Sequence, residues 1–179
     1  MASSETEAPV RTRTYSWDDP LASAAAGAKL GGLEYLHAMQ SGELPMPPIM
    51  ATLGIGGAEF EEGRAVFWVD PAEYHYNPIG VVHGGLAATL CDSAMGCAVQ
   101  SLLPAGSGYT TLEIKVNFVR PLTRDTGRIR CEGKIVHLGG RVATAEARVT
   151  DAAGKLYAHA TTTCMVFRPE GAQGNRERS

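Results

Sequence analysis

The chain has 179 residues, 44% of them hydrophobic and 20% charged, which is enough for one compact domain with a substantial core and short for two. A net charge of -3 and a pI near 5.9 supply no basic field of the kind that draws a protein to nucleic acid or to an anionic membrane surface, so neither is an expected partner. Cys91, Cys97, Cys131 and Cys164 are widely spaced and form no CxxC pair, which points to reduced thiols and a cytoplasmic location rather than to a zinc site or a disulfide framework.

In chain order, residues 1–16 and 169–179 are rich in Ser, Glu, Arg and Gly and are expected to be disordered tails. The opening MASSETEAPVRTRTYSWDDP has no apolar h-region, so no secretory signal is expected. Residues 17–48 read as a helical extension: LGGLEYLHAMQ, from Leu30 to Gln40, sets Leu30, Leu33, Leu36 and His37 at helical spacing, and GELPMPPIM stops it with three prolines. The main domain is expected over 49–168. It begins with two extended runs, about Met50–Glu61 and Arg64–Val69, turning at Glu62-Gly63.

Gly84–Leu103 has the length and composition of a helix. It contains Asp92, Gln100, two serines and a threonine and lacks flanking positive charge, so it reads as a buried helix rather than a membrane span. From Tyr109 the period changes to two: Leu112, Ile114, Val116 and Phe118 alternate with Thr111, Glu113, Lys115 and Asn117. Gly127–Leu138, Arg141–Thr150 and Lys155–Phe167 follow as strands, punctuated by Gly139-Gly140 and by Asp151-Ala-Ala-Gly154. The order predicts an α+β fold, an antiparallel meander curved around the 84–103 helix and completed by a second copy of the chain.

One charged side chain, Asp92, stands in the apolar stretch between His83 and Glu113, with no Lys or Arg in the segment to pair with it. An ionised carboxylate on a buried helix is costly unless paired or hydrogen-bonded. Two readings stay open: an exposed or locally bonded residue near a bend, or a reactive carboxylate in a pocket. His83-Gly84-Gly85 just before the helix leaves first-turn N–H groups accessible, as an oxyanion site or as a plain tight turn. In one regular helix His83 and Asp92 stand about 900° apart, on opposite faces, so a symmetric dimer is the way to bring them together.

Other motifs are absent. Gly54-Ile-Gly56-Gly57 lacks the GxGxxG spacing, and no GxxxxGK[ST], HExxH or GxSxG occurs. His37, His75, His137 and His159 make no metal-like spacing, so no metal is expected.

"HYNPIGVVHGGLAATLCDSAMGCA", followed by "YTTLEIKVNFVRPL" and "GKIVHLGGRVATAEARVTDAAGKLYAHATTTCMVF", resembles the PaaI-like hotdog thioesterases over about residues 50–168. The resemblance implies a hotdog fold: a long central helix wrapped by a curved antiparallel sheet, pairing into a homodimer with interface active sites and often into a homotetramer. It also implies hydrolysis of an acyl-CoA thioester without metal or organic cofactor.

Position by position, the family's carboxylate falls on Asp92, as nucleophile or general base, and the backbone N–H that polarises the carbonyl falls on Gly84, beside Gly85. The motif Asn and His fall on Asn77 and His83, and a Ser or Thr of the next strand falls on Thr111. The CoA-contacting segments fall on Phe118, Val119, Arg120 and Pro121, and on His137, Gly139, Gly140 and Arg141, where Arg120 and Arg141 suit phosphate oxygens. A related hotdog hydratase or dehydratase, and a noncatalytic module binding acyl-CoA or another apolar ligand, are the alternatives.

Overall fold

Runs rich in β-branched, aromatic and small residues form six strands: β1 (Ile55–Glu61), β2 (Arg64–Val69), β3 (Gly108–Phe118), β4 (Ile129–Leu138), β5 (Val142–Asp151) and β6 (Leu156–Phe167). Four helices accompany them: α1 (Pro20–Gly27), α2 (Gly32–Ser41), α3 (Pro48–Leu53) and α4 (Gly84–Gln100). The computed structural model describes residues 10–168, and the tail expectations for 1–9 and 169–179 lie outside the described residues.

The strands make one antiparallel sheet in the order β1-β2-β4-β5-β6-β3. β1 and β2 form the expected hairpin, and β4, β5 and β6 form the expected run of consecutive neighbours, but β3 does not join that run. α4 carries the chain across the sheet between β2 and β3, so β3 lands beside β6 at the far edge and β2 meets β4 instead. With the long helix packed against a curved sheet, this is the hotdog fold that the resemblance implied.

α4 lies on the inner face, where Leu90, Cys91, Ala94, Met95, Ala98 and Val99 are wholly buried. Each larger side chain there stabilises the fold by about 2 kcal/mol through apolar area removed from water. The opposing strand positions are small, among them Ala145, Ala147, Ala160 and Cys164, which lets the helix sit close. At Gly133 of β4 the sheet backbone meets the helix backbone so closely that an added Cβ would stand 2.4 Å from the Ala94 carbonyl group. The outer face carries charge instead: the Glu132 carboxylate meets Arg64, Arg130 and Lys134 at 2.6–3.2 Å.

Within one chain β3 ends the sheet and leaves Gly85 and Asp92 of α4 exposed, on the side where a second copy of the chain was expected. One expectation needs correction. Met50–Leu53 is helical rather than extended: Pro48 occupies the first turn of α3, where its missing N–H costs nothing, and Gly54, at φ 65°, ends it. α1 lies inside the expected 17–48 helical extension, ahead of the helix located at Leu30–Gln40; Asp19 caps it and Pro20 opens it.

The predicted α2 begins close to its expected start and packs on the far end of α4, with the Gly32 N–H donating to the Leu103 carbonyl at 2.8 Å. Residues 10–19 carry no regular structure; Arg11 pairs with Glu73, and Arg13 donates to the Ala51 and Thr52 carbonyls at the end of α3.

Gly133→Ala is expected to cost about 2 kcal/mol or more, since the methyl meets backbone that cannot yield. Chemical denaturation of the variant beside wild type measures it, and unchanged stability contradicts the close approach.

Candidate active site

The loop before α4 is built on Asn77. Its side-chain oxygen accepts from the Ile79 and Val81 N–H groups at 3.1 and 3.2 Å, while its own N–H donates to the Val81 carbonyl at 2.8 Å. Asn77 therefore shapes the turn through its carbonyl end. Val82 is tied to the Leu122 carbonyl and His83 to the His75 carbonyl, at 2.9 and 2.8 Å, which fixes where the helix starts.

His83 is the N-cap of α4. Its Nδ1 accepts from the Gly85 N–H at 2.8 Å, and its carbonyl accepts from Leu86 at 3.0 Å. A Cβ at position 85 would lie 2.8 Å from that Nδ1, so a side chain there would push the His83 ring out of its capping position. Two first-turn donors are thus used, whereas the Gly84 N–H has no hydrogen-bond partner among the described residues. It sits at the positive end of a 17-residue helix.

Gly84 opens on a cleft of about 460 Å³. His83, Phe118, Val119, Arg120 and Pro121 are among the residues that line it, together with Ala87 and Tyr157. Arg120 is turned partly inward: one Nη donates to the Leu156 carbonyl at 2.5 Å, and the residue stays exposed at the rim.

Asp92 stands elsewhere. Within one chain it is exposed on the open face of α4 and accepts from Thr111 Oγ1 at 3.0 Å. Thr111 reaches it because of a bulge. The β3–β6 register slips between Thr111 and Glu113, so Thr111 pairs with buried Cys164 on the inner face. Leu112, expected inward, is 54% exposed.

The neighbouring nucleophiles are held protonated. Burial pushes the Cys97 thiol up to about 12, and the Asp92 charge adds to the effect. Burial likewise raises the Tyr109 phenol well above its ordinary value. Neither thiolate nor phenolate is available beside Asp92 at neutral pH.

Within one chain the predicted residues fall into three groups. His83, Gly84 and the Phe118–Pro121 segment meet at the cleft, and Asp92 and Thr111 meet near the start of β3. Gly84 and Asp92 are separated by about 12 Å of helix axis. His137 near the end of β4 and Gly139, Gly140 and Arg141 of the β4–β5 turn form the third group, where the Arg141 carbonyl accepts from Val166, at the opposite end of the sheet from Phe118. Tyr157 and His75 went unread in the sequence: Tyr157 sits inside an ordinary strand pattern, and His75 precedes the Asn77 motif with no periodicity to mark it. Among the described residues no three His, Cys, Asp or Glu side chains converge as a metal site, and no helix is long and apolar enough to cross a membrane.

His83→Ala removes the cap and is expected to cost about 1 kcal/mol in thermal or chemical unfolding, whereas His83→Asn, which caps equally well, stays within a few tenths. Equal losses in both variants contradict the capping role.

The thioesterase superfamily model matches residues 79–158. The chain is 32% identical over 120 residues to the protein SSO2140 of Saccharolobus solfataricus, covering 67% of this chain and 84% of that one. It is 25% identical over 118 residues to a 1,4-dihydroxy-2-naphthoyl-CoA hydrolase of Listeria monocytogenes, covering 66% and 94%. A solved structure of a mutant phenylacetic acid degradation protein PaaI from Thermus thermophilus superposes with a TM-score of 0.60 at 30% identity, covering 66% of this chain and 98% of that one. On sequence and fold together, the chain belongs to the thioesterase superfamily, among its PaaI-like hotdog members.

Proposed function

We propose that the protein hydrolyses an acyl-CoA thioester to the free acid and CoA, at a site shared between two copies of the chain. The observation that carries this reading is the unpartnered Gly84 N–H at the positive end of α4, opening on a cleft with apolar walls. A thioester carbonyl oxygen placed there gains a preorganised donor and a helix dipole as negative charge develops on it. The cleft volume suits an acyl group with part of a pantetheine arm. The Listeria relative, named for hydrolysis of an aryl-CoA, supports a CoA thioester as the substrate class.

The carboxylate comes from the second copy. β3 is an 11-residue strand at the sheet edge, with Phe118 57% and Leu112 54% exposed, a template for pairing with another strand. Antiparallel pairing of two β3 strands about a two-fold axis near Ile114–Lys115 sets Thr111 opposite the partner's Phe118, which touches the partner's Gly84. Asp92 then faces the partner's cleft. The same pairing carries the His137–Arg141 turn to the end of the partner's Phe118–Pro121 segment, so that Arg141 and the partner's Arg120 serve one CoA.

In the reaction Asp92 attacks the carbonyl carbon, giving an anhydride that water opens, or takes a proton from a water that attacks. Either course breaks the C–S bond, and the CoA thiolate leaves and takes up a proton. Thr111 donates to one Asp92 oxygen and orients the other. His83 and Asn77 act by holding the turn that presents Gly84. The protein is proposed to be a cytoplasmic homodimer or homotetramer that needs no cofactor.

Release of CoA thiol from benzoyl-, acetyl-, octanoyl- and palmitoyl-CoA tests this. Wild type is expected to hydrolyse at least one, and Asp92→Asn to lose at least about 100-fold in kcat while keeping its fold and oligomeric state. Equal turnover by Asp92→Asn contradicts the assignment of the carboxylate.

A further inference from the structure

His75 is buried, with both ring nitrogens engaged. Nδ1 accepts from the Ala72 N–H at 3.0 Å, so the proton of the neutral ring is on Nε2, which donates to the Leu53 carbonyl at 2.7 Å. Its backbone carbonyl accepts the His83 N–H at 2.8 Å. One residue therefore ties the end of α3, the turn at Glu73–His75 and the N-cap of α4 together. Arg13 completes the same corner: it donates to the Ala51 and Thr52 carbonyls, so side chains satisfy three successive carbonyls at the end of α3. Its guanidinium also stacks over the Tyr74 ring at 4.3 Å.

We propose that His75 is a positioning residue of the site: in its neutral, Nδ1-accepting form it fixes the His83 backbone, and through it the place of the Gly84 N–H. The inference rests on the thioesterase reading for its kinetic consequence, and on geometry alone for the placement of His83.

The groups around the ring favour that form. Burial lowers the affinity of His75 for a second proton, and the nearby Arg13 charge lowers it further, against the opposing pull of the Leu53 carbonyl. Tyr74 packs beside the ring, with centroids 4.2 Å apart, and the Glu73 carboxylate is engaged by Arg11. Protonation of Nδ1 converts an acceptor into a donor facing the Ala72 N–H and breaks that bond. Because the native ring binds its proton less readily than the unfolded one, stability is full above about pH 6.5 and declines as pH falls from there toward the native value.

The test compares wild type with His75→Asn, which keeps an acceptor near the Nδ1 position, His75→Gln, which keeps a donor toward Leu53, and His75→Phe, which keeps volume alone. The readouts are kcat and KM against pH on whichever of benzoyl-, acetyl-, octanoyl- and palmitoyl-CoA turns over fastest, with hydrogen exchange of the His83 amide and ¹⁵N NMR of the His75 ring. His75→Phe is expected to lose roughly 10- to 100-fold in kcat, with KM within about twofold and faster His83 exchange. The Asn and Gln variants fall between and lack the inflection that His75 contributes below pH 6.5.

A residue that only stabilises the fold would lower the melting temperature and leave kcat of the folded protein and His83 exchange unmoved; that result overturns the proposal. If the Phe variant does not fold, the two amide variants decide by the same readouts. If wild type hydrolyses none of the four thioesters, the thioesterase reading fails by itself. In that case unchanged His83 exchange in the variants overturns the placement, and faster exchange upholds it.

Discussion

The structure depends on how closely α4 presses against the sheet. At Gly133 the helix backbone of Ala94 comes within a distance that excludes even one methyl group, and a floor of alanines and cysteines continues the contact on either side. A helix held at that depth has its N-terminus and its one uncovered face placed by the sheet rather than by loops. The N-terminus emerges where β3 ends and the Phe118–Leu122 segment closes a cleft over Gly84, and the uncovered face runs along the β3 edge with Asp92 upon it. The rigidity that a catalytic constellation needs is thus supplied by the core.

That placement divides the chemistry. A single chain offers an oxyanion donor in one place and a carboxylate about 12 Å along the helix, each well supported: Gly84 by the His83 cap and the Asn77 turn, Asp92 by Thr111. In the proposed dimer the two meet across a two-fold axis at the β3 edge, which carries exposed Leu112 and Phe118. The thiol of Cys97 and the phenol of Tyr109, the other candidates near Asp92, are held in their neutral forms by burial. This leaves the carboxylate as the group able to attack or to take a proton in the proposed dimer.

Much of this was legible in the sequence because the decisive signals are periodic or unusual. The apolar run of α4 with one carboxylate, the β-branched and alternating runs of β4 to β6, and His83-Gly84-Gly85 at a helix start each have a local physical cause. What escaped was set by tertiary context. The bulge at Leu112 reverses which side of β3 faces inward, so alternation assigned Leu112 to the core and Thr111 to the surface, whereas pairing with β6 does the reverse. α1 and α3 are only 8 and 6 residues long and rich in proline or alanine, too short for a hydrophobic period to stand out. The role of His75 lies in bonds to residues 53 and 83, and no local pattern encodes a contact of that kind.

The central claim, that one site is assembled from the Gly84 end of one chain and the Asp92 face of another, is tested most directly by mixing two inactive variants. Gly84→Pro deletes the donor at a helix position that tolerates proline, and Asp92→Asn deletes the carboxylate. After unfolding and refolding together, half of the dimers are mixed, and each mixed dimer holds one site with both groups intact, so about a quarter of wild-type acyl-CoA hydrolysis should return. Recovery of that activity is the predicted result. A mixture that forms heterodimers and stays as inactive as its parents would contradict the shared site.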